Sequence, residues 1–129
     1  MHPFREDAHR PAVRPRTAEC ARRLTRTFLS AVAPRDPAEV DAALIVVSEL
    51  VANSIRHAGG VTGFELWAGP GTMTVCVADA SPAPPRPRPS QPWEPGGFGW
   101  PLVRELAEDV RVRTGPDGKA VYAVLPMSH

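Results

Sequence analysis

The chain has 129 residues, enough for one domain with a real core, and a formal net charge of +1, too small to favour direct binding of nucleic acid or an anionic membrane. No apolar run approaches a membrane span and the first residues contain no signal-peptide core, so we expect a cytoplasmic protein with no membrane partner. Two cysteines, Cys20 and Cys76, do not make a disulfide framework, and the four histidines lack zinc-ligand spacing.

The first third of the chain predicts a loose arm followed by a helix. Residues 1–15 are polar, charged and broken by proline, so we expect a flexible N-terminal arm with a short edge strand near residues 12–14, and a folded domain from residue 16 to residue 129. Thr17 is suited to cap a helix that runs to about Val32. Apolar residues at three-four spacing predict its buried face: Ala21, Leu24, Phe28, Ala31 and Val32.

A second helix has a clear start and a clear end. Asp36 can cap it, Pro37 suits its first position, and Glu39 can reach back as a capping-box acid. The apolar pattern continues to about His57, where a Gly-Gly pair predicts the end. Its predicted core stripe is Val40, Ala43, Leu44, Val47, Leu50, Val51 and Ser54.

The second half of the chain predicts two hairpins separated by a long loop and a helix. Residues 61–68 and 72–79 form the first strand pair, and residues 110–114 and 119–125 form the second. Between them, residues 81–97 include seven prolines and predict a loop, after which Gly97 to Pro101 opens a third helix. This order predicts an α/β (α+β) two-layer sandwich with a mixed, mostly antiparallel sheet covered on one face by helices.

The second helix carries a Glu, an Asn and an Arg that its apolar pattern does not require. Glu49 and Asn53 lie four residues apart and therefore share one helix face, and Arg56 lies a turn further along it. An Asn oxygen can ligate magnesium, and a Glu carboxylate can deprotonate a hydroxyl. The alternative is a solvated polar stripe without a chemical role.

Two further motifs follow at a strand end and at a helix start. Asp79, with Ser81 beside it, ends a strand, where its carboxylate could accept a hydrogen bond from an exocyclic amine such as that of adenine. Glycines at positions 96, 97 and 99 precede the third helix, where backbone N–H groups could approach a phosphate. The alternative for Asp79 is that it only caps the turn into the prolines.

In this order, the motifs resemble the histidine-kinase-like ATPase domains of the Bergerat fold, and among them the small anti-sigma-factor serine/threonine kinases. Residues 48–58, Ser-Glu-Leu-Val-Ala-Asn-Ser-Ile-Arg-His-Ala, resemble the family's N box. Residues 79–81 resemble its first glycine box, and residues 97–103 its second. The resemblance covers nearly the whole chain, from about Thr17 to Pro126.

The resemblance implies ATP and Mg²⁺ as cofactors and assigns roles to particular residues. Glu49 would be the catalytic base, Asn53 would ligate magnesium, and Asp79 would bind the adenine amine. Residues 81–96 would form the ATP lid. The residues expected to bind ATP are Asn53, Arg56, His57, Asp79, Ser81, Gly97, Phe98, Gly99, Trp100 and Leu102.

The resemblance also implies a function. The chain would be a kinase that binds a sigma factor and phosphorylates a serine of a STAS-type anti-sigma antagonist, with homodimerisation left open. The alternative is a non-catalytic module that binds nucleotide or partners. Two departures favour that alternative: Phe98 stands where the small regulators usually carry arginine, and Ala120 follows Lys119 where the family often has threonine.

Overall fold

A computed structural model describes residues 8–82 and 99–129 as five strands and three helices. The elements in chain order are β1 (Ala8–Val13), α1 (Ala18–Val32), α2 (Pro37–Ala58), β2 (Val61–Gly69), β3 (Thr72–Asp79), α3 (Gly99–Leu106), β4 (Asp109–Gly115) and β5 (Gly118–Pro126). No helix within these described ranges is long and apolar enough to cross a membrane.

The strands form one sheet in the order β1-β2-β3-β5-β4. Every pairing between the described strands is antiparallel, so this part of the sheet is not mixed. The long α2 packs across β2, β3 and β5, and α1 and α3 pack against α2. The predicted two-layer sandwich with helices on one face of the sheet is therefore confirmed.

The predicted boundaries of α1 and α2 are confirmed, but one cap works differently. The Thr17 hydroxyl accepts from the Cys20 amide at 3.0 Å, and the Asp36 carboxylate accepts from the Ala38 amide at 2.9 Å. At the other end of α2, Gly59 adopts φ 77°, which a residue with a Cβ would adopt at a cost. Glu39 does not form the predicted capping box, because its carboxylate accepts from the backbone and the hydroxyl of Ser128 instead.

Part of the N-terminal segment forms a strand. A short edge strand was expected near residues 12–14, and residues 8–13 form the edge strand β1, which pairs with β2 over the registers Ala8 with Ala68 and Val13 with Phe64. Pairing of this kind satisfies the N–H and C=O groups that the edge of β2 would otherwise expose. Residues 1–7 lie outside the described residues.

The core lies between the sheet and α2. Predicted helix positions that are buried are Ala21, Phe28, Ala43, Val47, Leu50, Val51 and Ser54. Ala31 is exposed, contrary to the prediction, and Leu29 is buried in the last part of α1 instead. The sheet contributes alternate residues of β3 and β5, among them Val75, Val77 and Leu125. Such alternation directs every second side chain of a strand into the core.

Candidate functional site

Glu49 and Asn53 lie one turn apart on α2, and we call this pair the α2 flank. Both side chains are half-buried, at the boundary between the buried face of α2 and solvent. Within the described ranges, neither side chain forms a hydrogen bond or an ion pair with another residue. The α2 flank therefore offers a carboxylate and a carboxamide oxygen that the fold itself does not use.

Arg56 and His57 lie in the last turn of α2, and both are exposed. Basic side chains at a helix C-terminus interact favourably with the partial negative charge of the unpaired carbonyl groups. This placement accounts for both residues without a ligand, so their predicted role in binding ATP stays a prediction.

Three buried polar side chains meet at the end of β3, those of Ser54, Asp79 and Lys119; together with the backbone of the half-buried Ser81 we call them the Asp79 cluster. The Lys119 ammonium donates to both carboxylate oxygens of Asp79, at 2.9 Å to Oδ1 and 2.8 Å to Oδ2. The Ser54 hydroxyl donates to Oδ2 at 2.7 Å, and the Ser81 amide donates to Oδ1 at 3.0 Å. The side chains of Lys119 and Asp79 are only 4% and 2% exposed.

Strand register explains why two opposite charges meet inside the domain. Asp79 on β3 is the register partner of Lys119 on β5, and each lies on the buried face of its strand. Two ions removed from water require close mutual contact and further hydrogen bonds to offset their lost hydration. The four donor contacts to the carboxylate supply both, so the cluster is internally satisfied.

This arrangement bears on the adenine site implied by the resemblance. A carboxylate offers about four acceptor positions, and this chain's own donors fill them at Asp79. In this state the carboxylate does not fit an adenine amine as an additional partner. Asp79 also performs the turn role that was the alternative interpretation, since it accepts from the Ser81 amide two residues later.

Gly118 allows β5 to begin directly against the Asp79 cluster. Its φ is 143°, and a Cβ placed there would lie 2.0 Å from the backbone oxygen of Asp79. Only glycine tolerates this approach, because a Cβ atom cannot lie so close to a backbone oxygen. Gly118 therefore sets the position of Lys119, the next residue, relative to Asp79.

The predicted phosphate side of the site is described only in part. Gly99 begins α3 and Pro101 falls in its first turn, as predicted. Trp100 and Leu102 are half-buried, and the Arg104 guanidinium lies 6.0 Å from the centre of the Trp100 ring. Gly97, Phe98 and the predicted lid from residue 83 onward lie outside the described residues.

The described residues contain no group of three or more His, Cys, Asp or Glu side chains that could hold a metal ion. A magnesium ion at Asn53 would therefore depend on nucleotide oxygens and water for most of its ligands, which is common for Mg²⁺. The α2 flank fits such an ion, whereas the Asp79 cluster as it stands does not fit the adenine base.

Lys119 is the residue of this site that the sequence analysis missed. The signal was available in the alternation of both strands. Lys119, Val121, Ala123 and Leu125 share one face of β5, and Met73, Val75, Val77 and Asp79 share one face of β3. A lysine in phase with a strand's apolar face predicts a buried cation, and the antiparallel pairing of the two strands predicts its partner.

Comparison with known proteins gives a family match and a structural match. The family described as Histidine kinase-like ATPase domain matches residues 12–125. No curated protein matches the chain. One similar solved structure is the crystal structure of the RsbU and RsbW domains of Rv1364c from Mycobacterium tuberculosis, with a TM-score of 0.62 and 18% sequence identity. The match covers 93% of this chain and 33% of that one, so the chain spans about a third of its relative's length. At this identity the likeness shows the fold.

Proposed function

Because the chain belongs to the histidine kinase-like ATPase domain family, we propose that it is an ATP-binding regulatory protein of the anti-sigma-factor kinase type. In this role it would bind a sigma factor and a STAS-type anti-sigma antagonist, and phosphorylate a serine of the antagonist. The observation that carries the proposal is the α2 flank, where Glu49 and Asn53 lie half-buried and unused by the rest of the described structure.

Each residue of the α2 flank has a definite task in this proposal. ATP with Mg²⁺ would supply the phosphoryl group. The Asn53 side-chain oxygen would ligate the metal, and the Glu49 carboxylate would accept the proton of the antagonist's serine hydroxyl. Both groups lie in the second half of a long helix that packs on three strands, so their spacing does not depend on a loop.

Phosphoryl transfer to STAS-type proteins tests the proposal. The purified protein is incubated with γ-labelled ATP and candidate antagonists, and label on an antagonist serine is the expected result. Glu49→Gln keeps the size and hydrogen-bonding capacity of the side chain but removes the base. A general base contributes roughly a hundredfold to ten-thousandfold in rate, so Glu49→Gln should bind Mg-ATP like the parent and transfer label far more slowly.

The Asp79–Lys119 ion pair favours a second candidate, a non-catalytic module that binds its protein partners without turning over nucleotide. A carboxylate already satisfied inside the domain leaves less binding energy for adenine. In this case the chain would form a stable complex with a sigma factor or an antagonist whether or not ATP is present. Complex formation by the parent and by Glu49→Gln alike, with no label transferred by either, would identify the non-catalytic module.

A further inference from the structure

Lys119 is the only lysine in the chain, and it lies buried at the site where the family resemblance places the adenine base. Its ammonium contacts both oxygens of Asp79 and approaches the backbone oxygen of Ser81 at 3.5 Å. The chain's other residues with a permanent positive charge are fourteen arginines. A compact point charge thus occupies a position that the bidentate guanidinium group would fill differently.

The acceptor positions of Asp79 explain what this lysine does. Oδ1 accepts from Lys119 and from the Ser81 amide, and Oδ2 accepts from Lys119 and from the Ser54 hydroxyl. The exocyclic amine of adenine is a neutral donor, whereas the lysine ammonium is a charged one that binds a carboxylate more strongly. Adenine can therefore reach the carboxylate only if Lys119 gives up its place.

We propose that Lys119 is an internal competitor of adenine and so determines the nucleotide affinity and base selectivity of this site. Asp79 accepts either the lysine ammonium or the amine of the base, but not both. This inference rests on the proposed function, in which ATP binds at this site. It makes Lys119 a specificity-determining residue through its hold on Asp79, in addition to its part in stabilising the fold.

The competition predicts the relative affinities of the parent protein for ATP and GTP. While the ion pair is formed, the carboxylate does not read the base, so ATP and GTP should bind with similar affinity. Removing the ammonium frees two acceptor positions on Asp79 for the adenine amine. Guanine presents a carbonyl oxygen at the corresponding ring position, which a carboxylate repels, so the gain should be confined to ATP.

The first test measures ATP and GTP affinities by calorimetry with Mg²⁺ for the parent and Lys119→Thr. The threonine is shorter and uncharged, so it leaves the carboxylate accessible. We expect Lys119→Thr to bind ATP at least about tenfold more tightly than the parent and to prefer ATP over GTP by a similar factor, as a charge-assisted hydrogen bond would give. The matched control is Asp79→Asn/Lys119→Thr, which has the same space but no carboxylate and should show neither gain.

A stabilising role alone would change the unfolding midpoint of Lys119→Thr but not its ratio of ATP to GTP affinity. Equal selectivity in the parent and in a folded Lys119→Thr would therefore overturn the proposal. Circular dichroism and a thermal unfolding scan establish that the variant is folded before its affinities are compared.

The second test uses the parent, so it holds even if Lys119→Thr does not fold. Because Lys119 is the only lysine, an amine-reactive reagent modifies this side chain and the N-terminal amine, and mass spectrometry of the Lys119 peptide separates the two. We expect slow modification without nucleotide. Suppose that ATP binds in preference to GTP and that Lys119 is modified as slowly with ATP as without it. The base and the lysine then occupy the site together, and the proposal is wrong. Binding without such preference, or preferential binding with faster modification, supports competition.

These results separate the inference from the proposed function. Equally tight and equally selective ATP binding by the parent and Lys119→Thr overturns the competition but leaves an ATP-binding regulator. Tighter, adenine-selective binding by Lys119→Thr alone supports the competition and shows that the parent's adenine site is closed. If neither folded protein binds any nucleotide, the ATP-binding role and the inference both fail.

Discussion

The α2 flank and the Asp79 cluster are the two parts of the candidate site that the family resemblance implies, and the fold treats them oppositely. Glu49 and Asn53 are half-buried and form no side-chain bond to another described residue. Asp79 and Lys119 are almost completely buried, and Asp79 has a full set of donors. The difference separates residues held ready for an external partner from residues that supply each other's partners.

Burial explains the contrast. A polar group with partial access to water loses little when it has no protein partner, whereas a buried one without a partner destabilises the fold. Among the described residues, every buried side-chain nitrogen or oxygen has a hydrogen-bond partner. The α2 flank can therefore wait for a ligand at low cost, but a buried Asp79 requires an internal partner whenever no ligand is present. Lys119 is that partner.

The largest expected effect comes from removing one side of the ion pair. Lys119→Met leaves a buried, uncompensated carboxylate, and we expect the free energy of unfolding to fall by roughly 3–5 kcal/mol. The measurement is urea denaturation at neutral pH. Arg111→Met is the matched control, because Arg111 pairs with Asp109 on the same sheet with its side chain 79% exposed; its loss should cost at most about 1 kcal/mol.

A double variant sharpens this result. Asp79→Asn/Lys119→Met removes both charges, and we expect it to regain most of the stability lost in Lys119→Met, since neutral replacement of a buried pair is often nearly harmless. If Lys119→Met were no less stable than Arg111→Met, the Asp79 carboxylate would not depend on the lysine. The proposed difference between the Asp79 cluster and the α2 flank would then be wrong.

Gly118→Ala should have the next largest effect, because the backbone of Gly118 lies in close contact with that of Asp79. The added methyl would lie 2.0 Å from the Asp79 backbone oxygen at a φ of 143°, so we expect a loss of roughly 2–3 kcal/mol from overlap and backbone strain. Gly71→Ala is the control: its φ is 73°, but no atom lies within 4 Å of its added Cβ. It should cost only the conformational penalty of about 1–2 kcal/mol.

Equal losses in Gly118→Ala and Gly71→Ala would show that the backbone moves away freely from Asp79. The strand end would then not hold Lys119 in place, and the rigidity assumed for the cluster would be wrong.

The two sides of the site also differ in how far the sequence predicts them. The α2 flank follows from helical spacing alone, because positions 49 and 53 fall on one face whatever the helix packs against. The partner of Asp79 depends on which strands are neighbours, and β3 pairs with β5 although α3 and β4 lie between them in the chain. The inward phase of Lys119 was visible in the sequence, but its pairing with Asp79 required the strand order.

The same distinction applies to the rest of the fold. Caps and turns are local, so Thr17, Asp36 and Gly59 were predicted correctly. Glu39 also carried a local prediction, but a distant partner, Ser128, took its carboxylate instead. The edge strand β1 was predicted only near residues 12–14, because its full extent from Ala8 to Val13 depends on pairing with β2.

On the α2 flank, substitution should change ligand binding with little change in stability. We expect Asn53→Ala to alter the free energy of unfolding by no more than about 0.5 kcal/mol, because no hydrogen bond or ion pair among the described residues is lost. ATP affinity measured by calorimetry should fall when Mg²⁺ is present. An equal loss of affinity in excess chelator would show that Asn53 does not ligate the metal.

The smallest expected effect is on stability and concerns Glu39, a surface carboxylate. Unlike the α2 flank it has protein hydrogen-bond donors, and unlike Asp79 it is not buried. The backbone and hydroxyl donors of Ser128 hold the pKa of Glu39 below its ordinary value of 4.5. A pKa lowered in the folded state means that the contact stabilises the fold fully above pH 4.5 and is lost as the pH falls through the lowered value. Thermal unfolding midpoints should therefore differ between the parent and Glu39→Gln at neutral pH and converge in acid. In a Ser128→Ala background the difference at neutral pH should shrink, because one of the two donors is gone. A difference that is the same at every pH would mean that the charge of Glu39 plays no part in the contact.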